Sequence, residues 1–199
     1  MFPSRIILVD RLHDLISAWS QAFAGFENVE VCEGDLFAHE ADAIVSPANS
    51  FGIMDGGLDA SIRATLGADV QTAAQAVILE RHHGELPVGT AEVVPTGHAR
   101  WPFLVVAPTM RVPESVALTV NAYLAFRAAL LAVMRHNDTP GVRSISVLLV
   151  PGLGTGIGSM APRRCAAQMR IAFDHASKPP RIPSFSLIHQ IHHKLRSAI

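Results

Sequence analysis

The sequence AIVSPANSFGIMDGGLDASIRATLG, residues 43–67, carries the features that decide the fold. Residues 43–45 are small or β-branched and uncharged, which is typical of a buried strand in a parallel or mixed sheet. Pro47 ends this strand because it has no N–H group for a strand ladder. A glycine-rich loop follows, and then an apolar pattern of helical spacing over residues 58–66. Exposed backbone N–H groups and a helix N-terminus at such a place favour a bound phosphate group.

The composition limits the class of protein. The chain has 199 residues, 49% apolar and 17% charged, which predicts a globular protein with one domain over residues 1–199. A net charge of −1 argues against nucleic acid as a partner. Cys32 and Cys165 are too few for a disulfide framework. No apolar run is long enough for a membrane span, and the first residues do not resemble a signal peptide. We therefore expect a cytoplasmic protein with no membrane partner.

Strand and helix patterns alternate along the chain, which predicts an α/β fold with helices on both faces of the sheet. A central apolar strand is expected over residues 144–150. An irregular segment followed by a helix is expected over residues 177–199. One long helix is expected to pack through a face that includes a single charged residue, Arg127. The other residues of that face are Val120, Tyr123, Leu124, Leu130, Leu131 and Met134.

A second glycine-rich loop, GLGTGIG at residues 152–158, lies between an apolar strand and a helix, as a phosphate-binding loop does. A tight turn explains one isolated glycine, but glycines at every second position favour a binding loop. A dinucleotide-binding fold does not fit, because too little chain follows for the further strand–helix units. A Walker loop does not fit either, because no Lys-Ser/Thr pair follows.

Three motifs resemble the macrodomain family, and specifically its MacroD-type ADP-ribosyl hydrolases. The first motif runs from Asn49 through a Gly-Gly pair to Asp59 and matches the family spacing without a gap. Residues 154–157 are similar to the family's second loop, and residues 34–36 to its adenine-binding Gly-Asp pair. The resemblance covers residues 28–173. It implies a three-layer α/β/α sandwich around a mixed sheet of about six strands.

The resemblance also implies a role for each matched residue. Asp35 and Leu36 would bind adenine, and Asn49 would orient the distal ribose. Asp59 would hold the water molecule that attacks the anomeric carbon of that ribose. The two loops would bind the diphosphate through Gly56, Gly57, Gly154, Thr155, Gly156, Ile157 and Gly158. No metal site and no cofactor are expected.

Three of these residues have simpler interpretations when they are considered one at a time. Asp35 can end a strand by bonding its own backbone, and Asn49 can form an Asx turn at the strand end. Asp59 can be a favourable charge at a helix N-terminus. If Asp59 is instead a general base, the like charge of a diphosphate is expected to raise its pKa.

The chain departs from the family pattern at several positions. Ser46 replaces the first Asn of the strand-end motif, and Asp55 adds a negative charge where the family has a glycine. Gly158 stands where the family has an aromatic residue that packs on the distal ribose. Phe51 and Phe185 are the nearest candidates to supply rings for the distal ribose and for adenine, respectively.

The resemblance implies a protein that binds ADP-ribose and hydrolyses an ester bond to it. The substrate would be an ADP-ribosylated protein or an O-acyl-ADP-ribose. A non-catalytic ADP-ribose reader and a phosphatase acting on ADP-ribose 1″-phosphate are alternatives that use the same pocket. A pocket that takes another nucleotide or RNA ends is a third alternative.

Overall fold

The structure is a computed structural model that describes residues 1–197. The strands are β1 (Arg5–Asp10), β2 (Val29–Glu33), β3 (Ala43–Ser46), β4 (Glu92–Pro95), β5 (Phe103–Val106) and β6 (Val147–Val150). The α-helices are α1 (His13–Ala22), α2 (Gly57–Leu66), α3 (Asp69–His82), α4 (Asn121–Asn137), α5 (Pro162–Ala176) and α6 (Phe185–Ser197). A short 3₁₀ helix spans Leu36–Ala38.

The six strands form one mixed sheet in the order β2-β1-β6-β3-β5-β4. The first five strands of this order are parallel to one another, and β4 pairs with β5 in the antiparallel direction. The mixed sheet predicted from the sequence is therefore confirmed. Because five strands point the same way, their carboxyl ends share one edge of the sheet, where α/β proteins bind ligands.

Apolar side chains fill both faces of the sheet. Helices α1, α4 and α5 cover one face around Trp19, Phe126 and Phe173. Helices α2 and α3 cover the other face around Ile62 and Ile78. The result is the three-layer α/β/α sandwich that the sequence predicted, with both layers of helix held mainly by burial of apolar surface.

The predicted packing face of α4 is wrong for all of its residues except Leu130, which is buried. Its buried side chains include five alanines, at positions 122, 125, 128, 129 and 132, together with Phe126, Leu130 and Val133. Arg127 is exposed, and most of the larger residues assigned to the buried face are only half-buried. Small side chains let α4 approach its neighbours closely. The inward direction is therefore set by fit against α5 and the sheet, and large apolar residues do not mark it.

The start of β6 also differs from the prediction. The strand begins at Val147, three residues later than expected. Side chains bind the backbone of the preceding residues: Ile145 N–H donates to Asn137 Oδ1 at 2.7 Å, and Ser146 N–H donates to Asp42 Oδ2 at 2.9 Å. These side chains take the place of strand partners for the two N–H groups, while Ser146 O still accepts a bond from Arg5 N–H of β1 at 3.1 Å.

The C-terminal helix α6 packs on α5 through the buried side chain of Leu195. The buried Gln168 amide joins α6 to the start of α4, because its Nε2 donates to the backbone oxygens of Thr119 and Leu195 at 2.8 and 3.1 Å. The predicted segment 177–199 extends two residues beyond the described part of the chain. Within residues 1–197, no helix combines the length and the apolar character needed to cross a membrane.

Candidate functional site

A cavity of about 590 Å³ lies at the carboxyl edge of the sheet. Its walls come from the segments that follow all five parallel strands. Every site residue predicted from the sequence lines it: Asp35, Leu36, Asn49, Gly56, Gly57, Asp59, Gly154, Thr155, Gly156, Ile157 and Gly158. Residues that are more than 120 positions apart in the chain therefore surround one space.

The two glycine-rich loops face each other across this cavity. Gly57 and Gly154 have φ angles of 56° and 80°, a left-handed conformation that glycine adopts without strain. The Ile157 side chain reaches across the cavity, and its Cδ1 lies 3.6 Å from the position that a Cβ on Gly57 would occupy. The two loops thus form opposite walls of a narrow cleft.

Backbone N–H groups of both loops are available to a ligand. Within residues 1–197, the N–H groups of residues 57–59 and 155–158 have no hydrogen-bond acceptor. The first group belongs to the N-terminal turn of α2, where the helix dipole favours a negative charge. The second belongs to a tight loop of the kind that binds anions through successive N–H groups. Together they form a site suited to an anion with several oxygen atoms.

Asp10, at the end of β1, fixes the second loop in place. Its Oδ2 accepts a hydrogen bond from Gly152 N–H at 3.1 Å, and its Oδ1 accepts one from Leu12 N–H at 2.9 Å. A Cβ on Gly152 would collide with Thr155 Oγ1 and lie 2.7 Å from Asp10 Oδ2. Sequence reasoning missed this residue. The available signal was a polar Asp-Arg pair directly after an apolar strand.

Asp35 follows β2, the strand at one edge of the sheet, and its carboxylate has two partners. Oδ1 accepts from Phe37 N–H at 3.0 Å, and Oδ2 accepts from the Arg11 guanidinium at 2.8 Å. The Phe37 N–H bond, followed by Arg11, holds the pKa of Asp35 below its usual range. The simpler interpretation, in which the carboxylate bonds to the backbone that follows it, is therefore correct. Asp35 also borders the cavity beside Arg11 and Phe37.

Asn49 organises the loop that follows β3. Its Oδ1 accepts from the N–H groups of Phe51 and Ile53 at 3.1 and 3.3 Å, and its Nδ2 donates to Ile53 O at 2.7 Å. This is the Asx-type arrangement considered as its simpler interpretation. Asn49 lines the cavity as well, and the second Nδ2 hydrogen has no acceptor among the described residues.

Asp59 is a buried carboxylic acid in the first turn of α2. It is 8% exposed, and its Oδ1 accepts a hydrogen bond from Ser46 Oγ at 2.6 Å. Burial raises the pKa of Asp59 from its usual value of 3.8 to about 6, while the Ser46 bond acts in the opposite direction. The physical cause differs from the expected one, because burial raises the pKa before any charged ligand arrives. A group that titrates near neutral pH is suited to general base chemistry.

Gly158 has no room for the aromatic side chain that the family carries there. A Cβ on Gly158 would lie 2.5 Å from Val116 Cγ2 and 2.6 Å from Gly154 O. Val116 N–H also donates to Gly158 O at 2.8 Å. The buried Val116 side chain thus takes the space, and the segment before α4 is fixed against the second loop. No signal in the sequence indicated this contact.

The other departures from the family pattern also have structural explanations. The charge of Asp55 is balanced by Arg63, at 2.7 Å. Phe51 lies under the Arg111 guanidinium, 5.2 Å from it, and does not line the cavity. Phe185 is 75% exposed on α6, packs on His189 and does not line the cavity. Among residues 1–197, Phe37 is the one aromatic residue that lines the cavity.

Fold and cleft define an α/β protein that can hold an anionic ligand at the carboxyl edge of a mixed sheet. Comparison with known proteins defines it further, since the family model of the Macro domain matches residues 45–169. The chain therefore belongs to the macrodomain family.

Named relatives and solved structures agree with this assignment. A macro domain-containing protein of Cupriavidus necator is 30% identical over 73% of this chain and 79% of its own. The O-acetyl-ADP-ribose deacetylase of Escherichia fergusonii is 30% identical over 72% of this chain and 76% of its own. A mutant of the Oceanobacillus iheyensis macrodomain with ADPR has the same fold, with a TM-score of 0.61 and 19% identity. That match covers 74% of this chain and 77% of the other.

Proposed function

We propose that the cleft binds ADP-ribose and that the protein hydrolyses an ester bond to the distal ribose. The observation that carries this proposal is the placement of Asp59. A carboxyl group with a pKa of about 6 borders the same cavity as two sets of free backbone N–H groups. The proposal is further supported by a relative that is named an O-acetyl-ADP-ribose deacetylase.

Adenine would lie at the end of the cleft formed by Asp35, Leu36 and Phe37. Each oxygen of the Asp35 carboxylate makes one hydrogen bond in the free protein, and a carboxylate oxygen can accept two. Asp35 can therefore accept a further bond from the adenine amino group. The Phe37 ring and the Arg11 guanidinium are flat groups that border the same end, and both kinds of group stack on nucleobases.

The diphosphate would lie between the two glycine-rich loops. The N–H groups of residues 57–59 and 155–158 offer donors from two directions. Hydrogen bonds to a charged phosphate oxygen are stronger than those between neutral groups. Binding in the micromolar range needs about −8 kcal/mol, which one buried adenine and several such bonds can supply.

The distal ribose would lie near Asn49 and Asp59, which border the same cavity. Asp59, as the carboxylate, accepts a proton from a water molecule whose oxygen forms a bond to the anomeric carbon. The bond between that carbon and the ester oxygen breaks, and the acyl group leaves as a carboxylate. Since a carboxylate needs no proton to leave at neutral pH, one base is sufficient for the step.

Two measurements test the proposal together. Calorimetric titration with ADP-ribose is expected to give micromolar binding, and Asp35→Ala is expected to lose at least about tenfold in affinity. Release of ADP-ribose from an ester-linked substrate is expected to fall by about 10²–10⁴ in Asp59→Asn while its ADP-ribose affinity remains. Absence of binding by the wild type would refute the proposal for this cleft.

A non-catalytic reader is the second candidate, and the state of Asn49 favours it. The amide already makes three bonds within its own loop, so it has less capacity left to orient a ribose. Micromolar binding with no release of ADP-ribose from ester-linked substrates by the wild type would identify a reader.

A further inference from the structure

We propose that Ser46 is a positioning residue for Asp59: its hydroxyl holds Oδ1, so that Oδ2 is the oxygen presented to water in the cleft. This inference rests on the proposed role of Asp59 as a base. It concerns a residue at which this chain departs from the family pattern, since Ser46 stands where the family has Asn.

The contact joins two elements of the fold. Ser46 is the last residue of β3 and is 1% exposed, and Asp59 lies in the first turn of α2. The Oγ–Oδ1 distance of 2.6 Å is in the range of O–H···O bonds to a charged acceptor. Ser46 does not line the cavity, whereas Asp59 does. The hydroxyl therefore acts on the carboxylate without itself lining the cavity.

The second carboxylate oxygen of Asp59 is left for the cleft. Within residues 1–197, the hydrogen bond to the Asp59 carboxylate is the one that Oδ1 accepts from Ser46, and no donor bonds to Oδ2. In this part of the chain, Arg170 Nε is the side-chain polar atom that is both buried and without a hydrogen-bond partner. Oδ2, which has no partner, is therefore accessible to solvent. Asp59 Oδ2 thus keeps access to the cavity that the residue borders. A carboxylate held at one oxygen has little freedom to rotate, which fixes the direction of the other.

The Ser46 bond also lowers the pKa of the base, against the larger effect of burial. It is the contact that opposes burial, which on its own favours the neutral acid. The charged groups around the cavity are Asp10, Arg11, Asp35 and Asp55, the last of them paired with Arg63. None of them contributes to the pKa shift of Asp59. Removal of the hydroxyl therefore shifts the Asp59 pKa upward with no nearby charge to compensate.

A hydroxyl that merely satisfies a buried carboxylate would affect stability alone. A positioning role affects turnover and its pH dependence as well. The test compares Ser46→Ala with Ser46→Thr, which keeps the hydroxyl on a strand that tolerates a β-branched residue. For each variant, kcat and KM on an ester-linked ADP-ribose substrate are measured between pH 5 and 8.5, together with ADP-ribose affinity by calorimetry.

Ser46→Ala is expected to bind ADP-ribose within about twofold of the wild type, because Ser46 does not reach the cavity. Its kcat is expected to fall about tenfold on the pH plateau, with a smaller change in KM. The midpoint of the acidic limb is expected to move upward by about one pH unit. Ser46→Thr is expected to restore both values. An unchanged limb and plateau in Ser46→Ala would overturn the inference.

A measurement without turnover separates this inference from the proposed function. The ¹³Cγ resonance of Asp59 reports its protonation in the free protein, and its midpoint is expected to rise by about one pH unit in Ser46→Ala. If this shift is seen but the wild type releases no ADP-ribose, the hydrolase proposal is refuted. The effect of the Ser46 contact on the protonation of Asp59 would still stand. No shift would overturn the inference whatever the activity. If Ser46→Ala does not fold, Ser46→Cys, with a weaker donor, must give a shift in the same direction.

Discussion

Replacement of Asp59 by Asn is expected to stabilise the protein at pH 8 and not at pH 4. Asp59 is buried, and its pKa is raised to about 6 in the folded protein from a usual value of 3.8. The folded state therefore binds the proton more tightly than the unfolded chain does. Stability from this group is present below pH 3.8 and is lost as the pH rises through about 6. Asn has the size of Asp, can accept the Ser46 bond and does not ionise.

The magnitude follows from the difference between the two pKa values. A shift of about 2 units corresponds to about 3 kcal/mol in total, of which roughly 2.4 kcal/mol develops between pH 4 and pH 8. For a domain of this size, that difference corresponds to a Tm change of roughly 5–10 °C. Urea unfolding of the wild type and Asp59→Asn at both pH values measures it. The free energy of unfolding of the wild type is subtracted from that of the variant at each pH, and the two results are compared. Contributions from ionisable groups that both proteins share then cancel.

Asp55→Asn is the matched control, because Asp55 lies in the same loop region but is exposed and paired with Arg63. Its stability difference from the wild type is expected to change by less than about 0.5 kcal/mol between pH 4 and pH 8. If Asp59→Asn and Asp55→Asn show the same small pH dependence, burial does not raise the Asp59 pKa and the reasoning is refuted. If Asp59→Asn is more stable but inactive, the wild type retains a destabilising carboxylate at this position because its activity requires it.

Two further predictions concern the walls of the cleft. Gly158→Phe, which restores the family aromatic, is expected to lower the free energy of unfolding by at least about 1–3 kcal/mol, because its Cβ would overlap Val116. Gly156→Ala, where the space is open, is the control for urea unfolding, and equal stability of both variants would contradict the packing argument. Phe37→Leu is expected to weaken ADP-ribose binding by about threefold to tenfold through loss of a flat ring at the adenine end. Phe185→Leu on α6 should leave the calorimetric affinity unchanged. If Phe185→Leu weakens binding and Phe37→Leu does not, adenine does not bind beside Phe37.

Local patterns in the sequence were sufficient for the order of elements. Strands and helices alternate with clear apolar periods, and Pro47 and the glycines mark where elements end. Two exceptions show the limits of such patterns. The buried face of α4 consists largely of alanines, which are too small to mark a direction. The residues before β6 bond to the side chains of Asn137, at the end of α4, and of Asp42, which is 104 residues away in the chain.

The candidate site was predictable as a set of residues because each motif is short and continuous. Asp35, Asn49, Asp59 and the two glycine-rich loops each follow a strand, and parallel strands bring their carboxyl ends to one edge. The state of each side chain was not predictable. Asn49 is held in its own loop, and the pKa of Asp59 is raised by burial where a charged ligand had been expected to raise it.

The sequence by itself determined the α/β class, the family motifs and the end of the sheet at which a ligand would bind, because these depend on residue types at short spacing. Only the tertiary structure decided the contacts between segments that are distant in the chain. Asp10 meets Gly152 because β1 and β6 are neighbours, and Val116 fills the space beside Gly158. Ser46 meets Asp59 because α2 packs back on the end of β3. Hydrogen bonds and close packing act over a few ångströms, so the fold must form before these pairs exist.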